Sequence, residues 1–176
     1  MDQTILKDAP AVNSTTDAHP LSDKWTLWAH LPHDTDWSFK SYKKIMTVAT
    51  VEDMLVLYNN LSEKLLVNCM LFFMRDGIKP IWEDKMNKDG GCFSYRVQNK
   101  FVPKTWTKLS YATAGETLCN DKKILSSING VTISPKKHFC IIKIWLKNCL
   151  LKDPTVIMNV GSLTANGCLF KKHINS

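Results

Sequence analysis

The sequence predicts an α+β fold, in which helices pack on one face of an antiparallel sheet. Short segments with alternating or continuous apolar residues recur between residues 19 and 160, as is typical of strands. Two longer segments carry helix start signals, Thr50 with an acid three residues on and Pro103 at a first turn. A length of 176 residues is enough for one domain with a buried core.

The predicted domain covers residues 19–176 and follows a flexible tail at residues 1–18. The tail is small, polar and aperiodic, which is typical of an unanchored terminus. In the first predicted strand Trp25, Leu27 and Ala29 alternate with Thr26 and Trp28. The predicted strands cover residues 19–31, 44–50, 69–74, 91–97, 129–134, 139–146 and 155–160.

Two helices are predicted between these strands. Thr50 is the expected N-cap of the first, with Asp53 completing a capping box. Its predicted core positions are 54, 57, 58 and 61, so Val51 and Leu55 fall on a neighbouring face that stays exposed. The second helix runs from Pro103 to about Gly115.

Composition excludes some classes of protein and favours others. The longest apolar runs are far too short to cross a bilayer, and the N-terminus lacks the pattern of a signal peptide. The six cysteines are scattered without a CxxC pair or metal-ligand spacing, which favours free thiols in a reducing compartment and predicts no metal site.

Charge is distributed unevenly along the chain. Residues 1–95 carry 10 Lys and Arg against 13 Asp and Glu, whereas residues 96–176 carry 13 against 3. Such a basic half suggests a polyanionic partner, most often a nucleic acid. Charge alone leaves open a basic surface with no such ligand.

Trp82 and Glu83 lie in a polar loop, "KPIWEDKMNKDGG" (79–91), where a large apolar side chain is not expected. An indole can stack on a nucleobase, which contributes ~1–3 kcal/mol. The Watson–Crick edge of guanine has two adjacent donors, which one carboxylate can accept together. The pair is therefore a candidate guanine clamp, and the alternative is a loop anchor beside a solvated acid.

A second aromatic residue and several lysines extend this candidate site. Trp37 stands in another polar loop, "HDTDWSF", and could stack on the opposite side of a base. Lys136 and Lys137 lie at a predicted hairpin tip, and Lys143 shares a strand face with apolar neighbours. These ammonium groups could bind phosphates, although a solvated surface charge is the alternative for each.

Several blocks in order and spacing make the chain resemble the mRNA cap-binding translation initiation factor 4E family. They include "TVEDMLVLYNNL", "DGIKPIWEDKMNKDGG" and "INGVTIS", and the resemblance covers roughly residues 19–146. It implies a single curved antiparallel sheet with helices on the convex face and the 7-methylguanosine cap on the concave side. By position, Trp37 and Trp82 would sandwich the methylated base and Glu83 would bind its edge. The tryptophans that match structural ones of the family are Trp25, Trp28, Trp106 and Trp145.

The phosphate side departs from the family pattern. The family usually has Arg where this chain has Lys136, and Lys where this chain has Ile141. Lys136, with Lys137 or Lys143, is therefore expected to bind the phosphates without a bidentate fork. A basic residue and a Trp usually follow the double glycine, where this chain has Cys92 and Phe93.

The convex side departs further. The resemblance implies that His19, Pro20, Val51 and the residue at 55 help to bind a scaffold of the initiation factor 4G type through a helical YxxxxLΦ motif. That residue is normally Trp but is Leu55 here, and Lys108 replaces a usual acid. The common scaffold is expected to bind poorly, and another helical partner is the alternative. Few residues separate Trp145 from the last predicted strand, which leaves room only for a short helical turn at 146–152.

The sequence leaves one leading function and several alternatives. The leading hypothesis is a non-enzymatic protein without a cofactor, which binds capped mRNA in the cytoplasm, or also in the nucleus, and acts in translation initiation. A paralogue that represses or regulates translation without the usual scaffold, or a general single-stranded RNA binder, is the alternative. An enzyme acting on capped ends is disfavoured, because the acids are dispersed and histidines are few.

Overall fold

A computed structural model describes residues 18–173, so the predicted tail lies, except for Ala18, outside the described residues. The strands of this part of the chain are β1 (Pro20–His30), β2 (Lys43–Thr50), β3 (Met70–Arg75), β4 (Gly91–Gln98), β5 (Ile128–Pro135), β6 (Phe139–Leu146) and β7 (Leu169–Lys172). They form one antiparallel sheet in the order β2-β1-β3-β5-β6-β4-β7. The helices are α1 (Val51–Asn60), α2 (Glu63–Asn68), α3 (Val102–Ala114) and α4 (Lys122–Leu125). The predicted α+β class is confirmed.

Alternation along the strands divides the sheet into two different faces. Trp25, Leu27 and Ala29 of β1 point into the main core, as do Leu71 and Phe73 of β3. Helices α1 and α3 pack on this face, because their buried side chains belong to the same core. The opposite face of the sheet remains available for a ligand site.

The local start signals of both predicted helices are present. Thr50 Oγ1 accepts a hydrogen bond from the Asp53 backbone N–H, and the Asp53 carboxylate accepts one from Thr50 N–H. Pro103 lies in the first turn of α3. Helices α2 and α4 were not predicted, because segments of six and four residues are too short for helical periodicity to be distinguished.

The prediction of a last strand at 155–160 is wrong. Residues Pro154–Val156 form a 3₁₀ turn, which begins where the Asp153 carboxylate accepts hydrogen bonds from Thr155 N–H and Oγ1. The last described strand is β7 at the basic end of the chain, where two lysines obscure the strand pattern. The helical turn considered at 146–152 is also wrong, since this segment is a strand end followed by bends.

The segment 147–168, whose packing the resemblance did not predict, contacts α3 at residues 161 and 162. Ser162 Oγ is 2.8 Å from Thr105 Oγ1, and the buried Leu163 belongs to the main core. Gly161 has φ +59°, and a Cβ there would lie 2.8 Å from Thr105 Oγ1. Only glycine therefore allows this close approach without strain.

None of the helices within residues 18–173 is long and apolar enough to span a membrane. The six cysteines of this region are free, as the sequence predicts.

Candidate functional site

A cavity of about 450 Å³ opens on the face of the sheet opposite α1 and α3. Phe72 of β3, Thr132 of β5 and Trp145 of β6 line it from the sheet. Trp145 Nε1 donates a hydrogen bond to Thr132 Oγ1 at 3.1 Å, which fixes the orientation of the indole. The other lining residues come mainly from the β1–β2 and β3–β4 connections.

Trp37 lines the cavity from the β1–β2 connection, with 56% of its surface exposed. The buried ring of His30 stacks on it, with the ring centres 4.1 Å apart and the planes 2° from parallel. His30 Nε2 donates to the Asp36 carbonyl at 2.9 Å, and hydrogen bonds from Ser38 to the Asp36 carboxylate lower its pKa. One face of Trp37 is thus covered, and the other is free to stack on a ligand.

Trp82 lines the cavity from the β3–β4 connection and is 42% exposed. The ring of His173, which follows β7, lies 8° from parallel to it at a centre distance of 6.0 Å. His173 Nδ1 donates to the Asn87 carbonyl at 2.8 Å, and its backbone N–H donates to Gly90 O. Burial, and secondarily the charge of Lys143, lower the pKa of His173. His173 therefore supports the Trp82 loop from outside the cavity.

The Trp82 loop is held together by a buried amide. Asn87 Nδ2 donates to the carbonyls of Lys79 and Ile81 at 2.9 and 2.8 Å. Its Oδ1 accepts from Asn129 Nδ2 of β5 at 2.9 Å. Sequence reasoning did not assign roles to Asn87, Asn129, His30 and His173. The sequence signal for one of them is weak: Asn129 is a polar amide in the otherwise apolar strand segment "SINGV".

The loop returns to the sheet through two glycines that allow close packing. A Cβ on Gly90 would collide with the carbonyl of Leu146, and one on Gly91 would lie 2.6 Å from the Phe170 ring. The tight return of the chain at this point keeps Trp82 close to β6.

The charged groups of the lining differ in sign between elements. Within the described residues the one carboxylate of the lining is Glu83, whereas Lys136 and Lys143 come from β5–β6. Burial, with a smaller effect of the Glu83 charge, raises the pKa of Tyr42 to about 12. Lys143 Nζ lies 5.4 Å from the centre of the Trp82 ring, so this ring already contacts a cation.

The structure brings together most of the predicted ligand residues. Trp37, Trp82, Glu83, Lys136 and Lys143 all line the one cavity. Lys137 is not in the lining and lies exposed at the hairpin tip. Trp25 and Trp106 are buried in the core, in agreement with a structural role, whereas Trp145 also lines the cavity.

The predicted partner residues lie on the helix side of the sheet. Val51 and Leu55 of α1 are 43% and 49% exposed, and Lys108 is exposed on α3. His19 Nδ1 is 2.8 Å from the Glu52 carboxylate, and this hydrogen bond is the main cause that lowers the pKa of Glu52 to about 2. Pro20 pairs with Thr50 in the sheet register. None of these residues lines the cavity.

Two exposed indoles, a carboxylate and lysines line one cavity, and this arrangement is suited to a flat aromatic ligand that carries negative groups. The chain matches the family model described as eukaryotic initiation factor 4E over residues 20–174. The chain therefore belongs to the eukaryotic initiation factor 4E family. This confirms the resemblance to that family.

Individual relatives agree with this assignment. Eukaryotic translation initiation factor 4E-2 of Schizosaccharomyces pombe is 31% identical over 167 residues, covering 89% of this chain and 66% of the relative. The chain thus spans slightly less than two thirds of that relative's length.

Solved structures show the same fold. The eIF4E-3 of Ascaris suum, in complex with an m7G cap, has a TM-score of 0.68 and 27% identity, covering 76% of each chain. The eIF4E-3 of C. elegans, in complex with the 4E-binding protein Mextli, has a TM-score of 0.67 and 26% identity, covering 76% of this chain and 78% of that one.

Proposed function

We propose that the cavity binds the 7-methylguanosine cap of mRNA, with the base between Trp37 and Trp82 and its edge on Glu83. The observation that carries this proposal is the pair of half-exposed indoles on one cavity, each stacked by a histidine. An exposed indole supported in this way loses little conformational freedom when a base stacks on it. The relative from Ascaris suum in complex with an m7G cap supports the proposal.

The chemistry of the methylated base suits these residues. Methylation at N7 makes guanine cationic, which strengthens its attraction to the electron-rich faces of two indoles. Glu83 can accept both N1–H and N2–H donors, and the positive charge of the base strengthens these bonds.

The phosphates of the cap are assigned to lysines. Lys136 and Lys143 line the cavity and Lys137 is adjacent in sequence, so the β5–β6 hairpin can supply positive charge to the phosphates next to the base. Lysine ammonium groups attract phosphates as point charges, without the fork of arginine. We expect these contacts to weaken with salt.

The exposed residues of α1 and α3 are proposed to bind a helical partner. Val51 and Leu55 are exposed on α1 and Lys108 on α3. The two helices meet where the rings of Tyr58 and Tyr111 lie 5.2 Å apart. The C. elegans relative in complex with Mextli supports a binding surface. The role in initiation, with regulation of translation as the alternative, depends on which partner binds. We propose that the protein acts in the cytoplasm, where capped mRNA is translated.

The decisive experiment for cap binding is a tryptophan fluorescence titration with 7-methyl-GTP and GTP. We expect strong preference for the methylated nucleotide. Glu83→Ala should weaken binding of 7-methyl-GTP about 10- to 100-fold, the range for hydrogen bonds to a charged group.

Glu63→Gln is the matched control, because Glu63 is an exposed acid at the start of α2. Equal affinity for both nucleotides would favour a general RNA binder. Unchanged affinity of Glu83→Ala would refute the assignment of the base edge.

If the exposed residues of α1 and α3 bind a helical partner, restoring the residue types usual in the family should strengthen that binding. Leu55→Trp combined with Lys108→Glu should strengthen binding of the 4E-binding segment of Mextli roughly tenfold or more, since a hot-spot tryptophan contributes about 2 kcal/mol or more. Calorimetry measures this affinity, and Leu150→Trp, at another exposed leucine, is the control. No gain over the control would contradict a partner site at α1 and α3.

A further inference from the structure

Arg96 lies on the cavity face of the sheet, one strand beyond the cavity. In the register of β4 and β6, Ser94 is opposite Lys143 and Arg96 is opposite Ile141. Directly opposed residues of an antiparallel pair point to the same side of the sheet. Arg96 therefore shares its face with Lys143, and residues on this diagonal lie about 7–8 Å apart.

The Arg96 guanidinium is exposed and oriented by an aromatic ring. Its Cζ lies 4.0 Å from the centre of the Phe139 ring, which restrains the side chain without using its N–H donors. Among residues 18–173 Arg96 has no carboxylate within ion-pair distance. Arg75 is different, because its guanidinium is bound to Asp23 and Glu116.

The strand that carries Arg96 and its two neighbouring strands have positive charges only. Strands β4, β6 and β7 contain no Asp or Glu. Lys171 of β7 is opposite Cys92, on the same face as Arg96. An arginine with free donors on such a face is suited to bind phosphate, because its planar fork matches two phosphate oxygens.

We propose that Arg96 binds the phosphates that extend out of the cavity beyond Lys143. The inference rests on the proposed function, since the base in the cavity fixes where the phosphates begin. The ligand group is a phosphate, which comes either from the outer part of the cap polyphosphate or from the first phosphodiester of the RNA. The expected contact is a pair of charge-assisted hydrogen bonds from the guanidinium.

The test is a fluorescence titration with four ligands: 7-methylguanosine, its 5′-monophosphate, its 5′-triphosphate and a capped pentanucleotide. Arg96→Gln should leave the affinity for the nucleoside unchanged. It should weaken binding of the triphosphate or of the capped RNA roughly three- to tenfold, which is modest for a charge-assisted bond because the site is exposed. The dependence of this affinity on salt should also decrease.

Three further variants sharpen the test. Arg96→Lys should retain part of the affinity, since it keeps the charge but loses the fork. Arg96→Gln combined with Ile141→Lys should recover affinity, because it returns a cation at the directly opposite position. Lys104→Gln is the control, an exposed cation on α3 across the sheet.

The ligand at which the loss first appears identifies the phosphate. A loss with the triphosphate points to the polyphosphate, and a loss only with the capped RNA points to the phosphodiester. If Arg96→Gln lost as much affinity for the nucleoside as for the other ligands, or lost affinity for none of them, the role of Arg96 would be overturned but the proposed function would not. A wild-type chain that bound none of the methylated ligands would overturn the proposed function as well.

Discussion

At the scale of single residues, His173 supports Trp82 through its ring. Its ring is nearly parallel to the indole. Its Nδ1–H donates a hydrogen bond to the Asn87 carbonyl, and its Nε2 is buried without a partner among the described residues. A proton on Nε2 would place a charge in this enclosed position near Lys143. The structure therefore favours neutral His173, which is why its pKa is lowered.

The lowered pKa of His173 predicts a loss of stability in acid. The unfolded chain takes up this proton near pH 6.5, whereas the folded chain does so only at lower pH. Proton uptake thus favours the unfolded state, and stability contributed above pH 6.5 is lost as the pH falls through the folded pKa. The free energy of unfolding, measured between pH 7.5 and 5.5, should decrease more in the wild type than in His173→Phe.

The control for this measurement is His138→Phe, at an exposed position of the β5–β6 turn. The difference in the free energy of unfolding between the wild type and His138→Phe should change little with pH. A pH dependence as large as that of His173→Phe would show that burial of His173 is not its cause.

At the scale of elements, α1 shows how a helix of this fold is fixed at its start. The reciprocal bonds of Thr50 and Asp53 satisfy N–H groups that a helix leaves without partners. Thr50→Ala should lower the free energy of unfolding by about 1 kcal/mol, or roughly 2–4 °C in Tm for a chain of this size. Thermal and denaturant unfolding measure both quantities.

Affinity for 7-methyl-GTP should remain unchanged in Thr50→Ala, because α1 and the cavity lie on opposite faces of the sheet. Thr35→Ala is the control, since Thr35 is exposed in a loop. An equal loss of stability in both variants would show that the capping box contributes nothing particular.

At the scale of the whole molecule, the cavity is assembled from distant parts of the chain. Its lining comes from three connections between strands and from β3, β5 and β6, and the segment after β7 supports one wall. A ligand in this cavity adds contacts between these distant parts of the chain. Binding to the folded chain alone should therefore raise stability by mass action.

The expected effect is an increase of about 2.7 kcal/mol in the free energy of unfolding at a free 7-methyl-GTP concentration of 100 Kd. Denaturant titration with and without the nucleotide measures it. GTP at the same concentration should give a much smaller increase, and Glu83→Ala should abolish most of the difference. Equal stabilisation by the two nucleotides would contradict recognition of the methylated base.

Sequence patterns predicted the regular elements better than the irregular ones. Alternation in β1 and the capping box of α1 are local, so they survive in the fold as predicted. The prediction of a strand at 155–160 is wrong because the Asp153 cap begins a 3₁₀ turn there and Met158 N–H donates to the Leu118 carbonyl, not to a neighbouring strand. Strand β7 was not predicted, because its four residues include two lysines and show little hydrophobic alternation.

The sequence by itself determined the residue types of the candidate site, since Trp37, Trp82 and Glu83 stand in polar loops where an apolar ring is unexpected. Only the tertiary structure decided which side chains support them. His30 and Asn129 resemble ordinary core residues in sequence, and His173 lies 91 positions from Trp82. The physical reason is that stacking and buried hydrogen bonds depend on distances across the sheet, which no local pattern encodes.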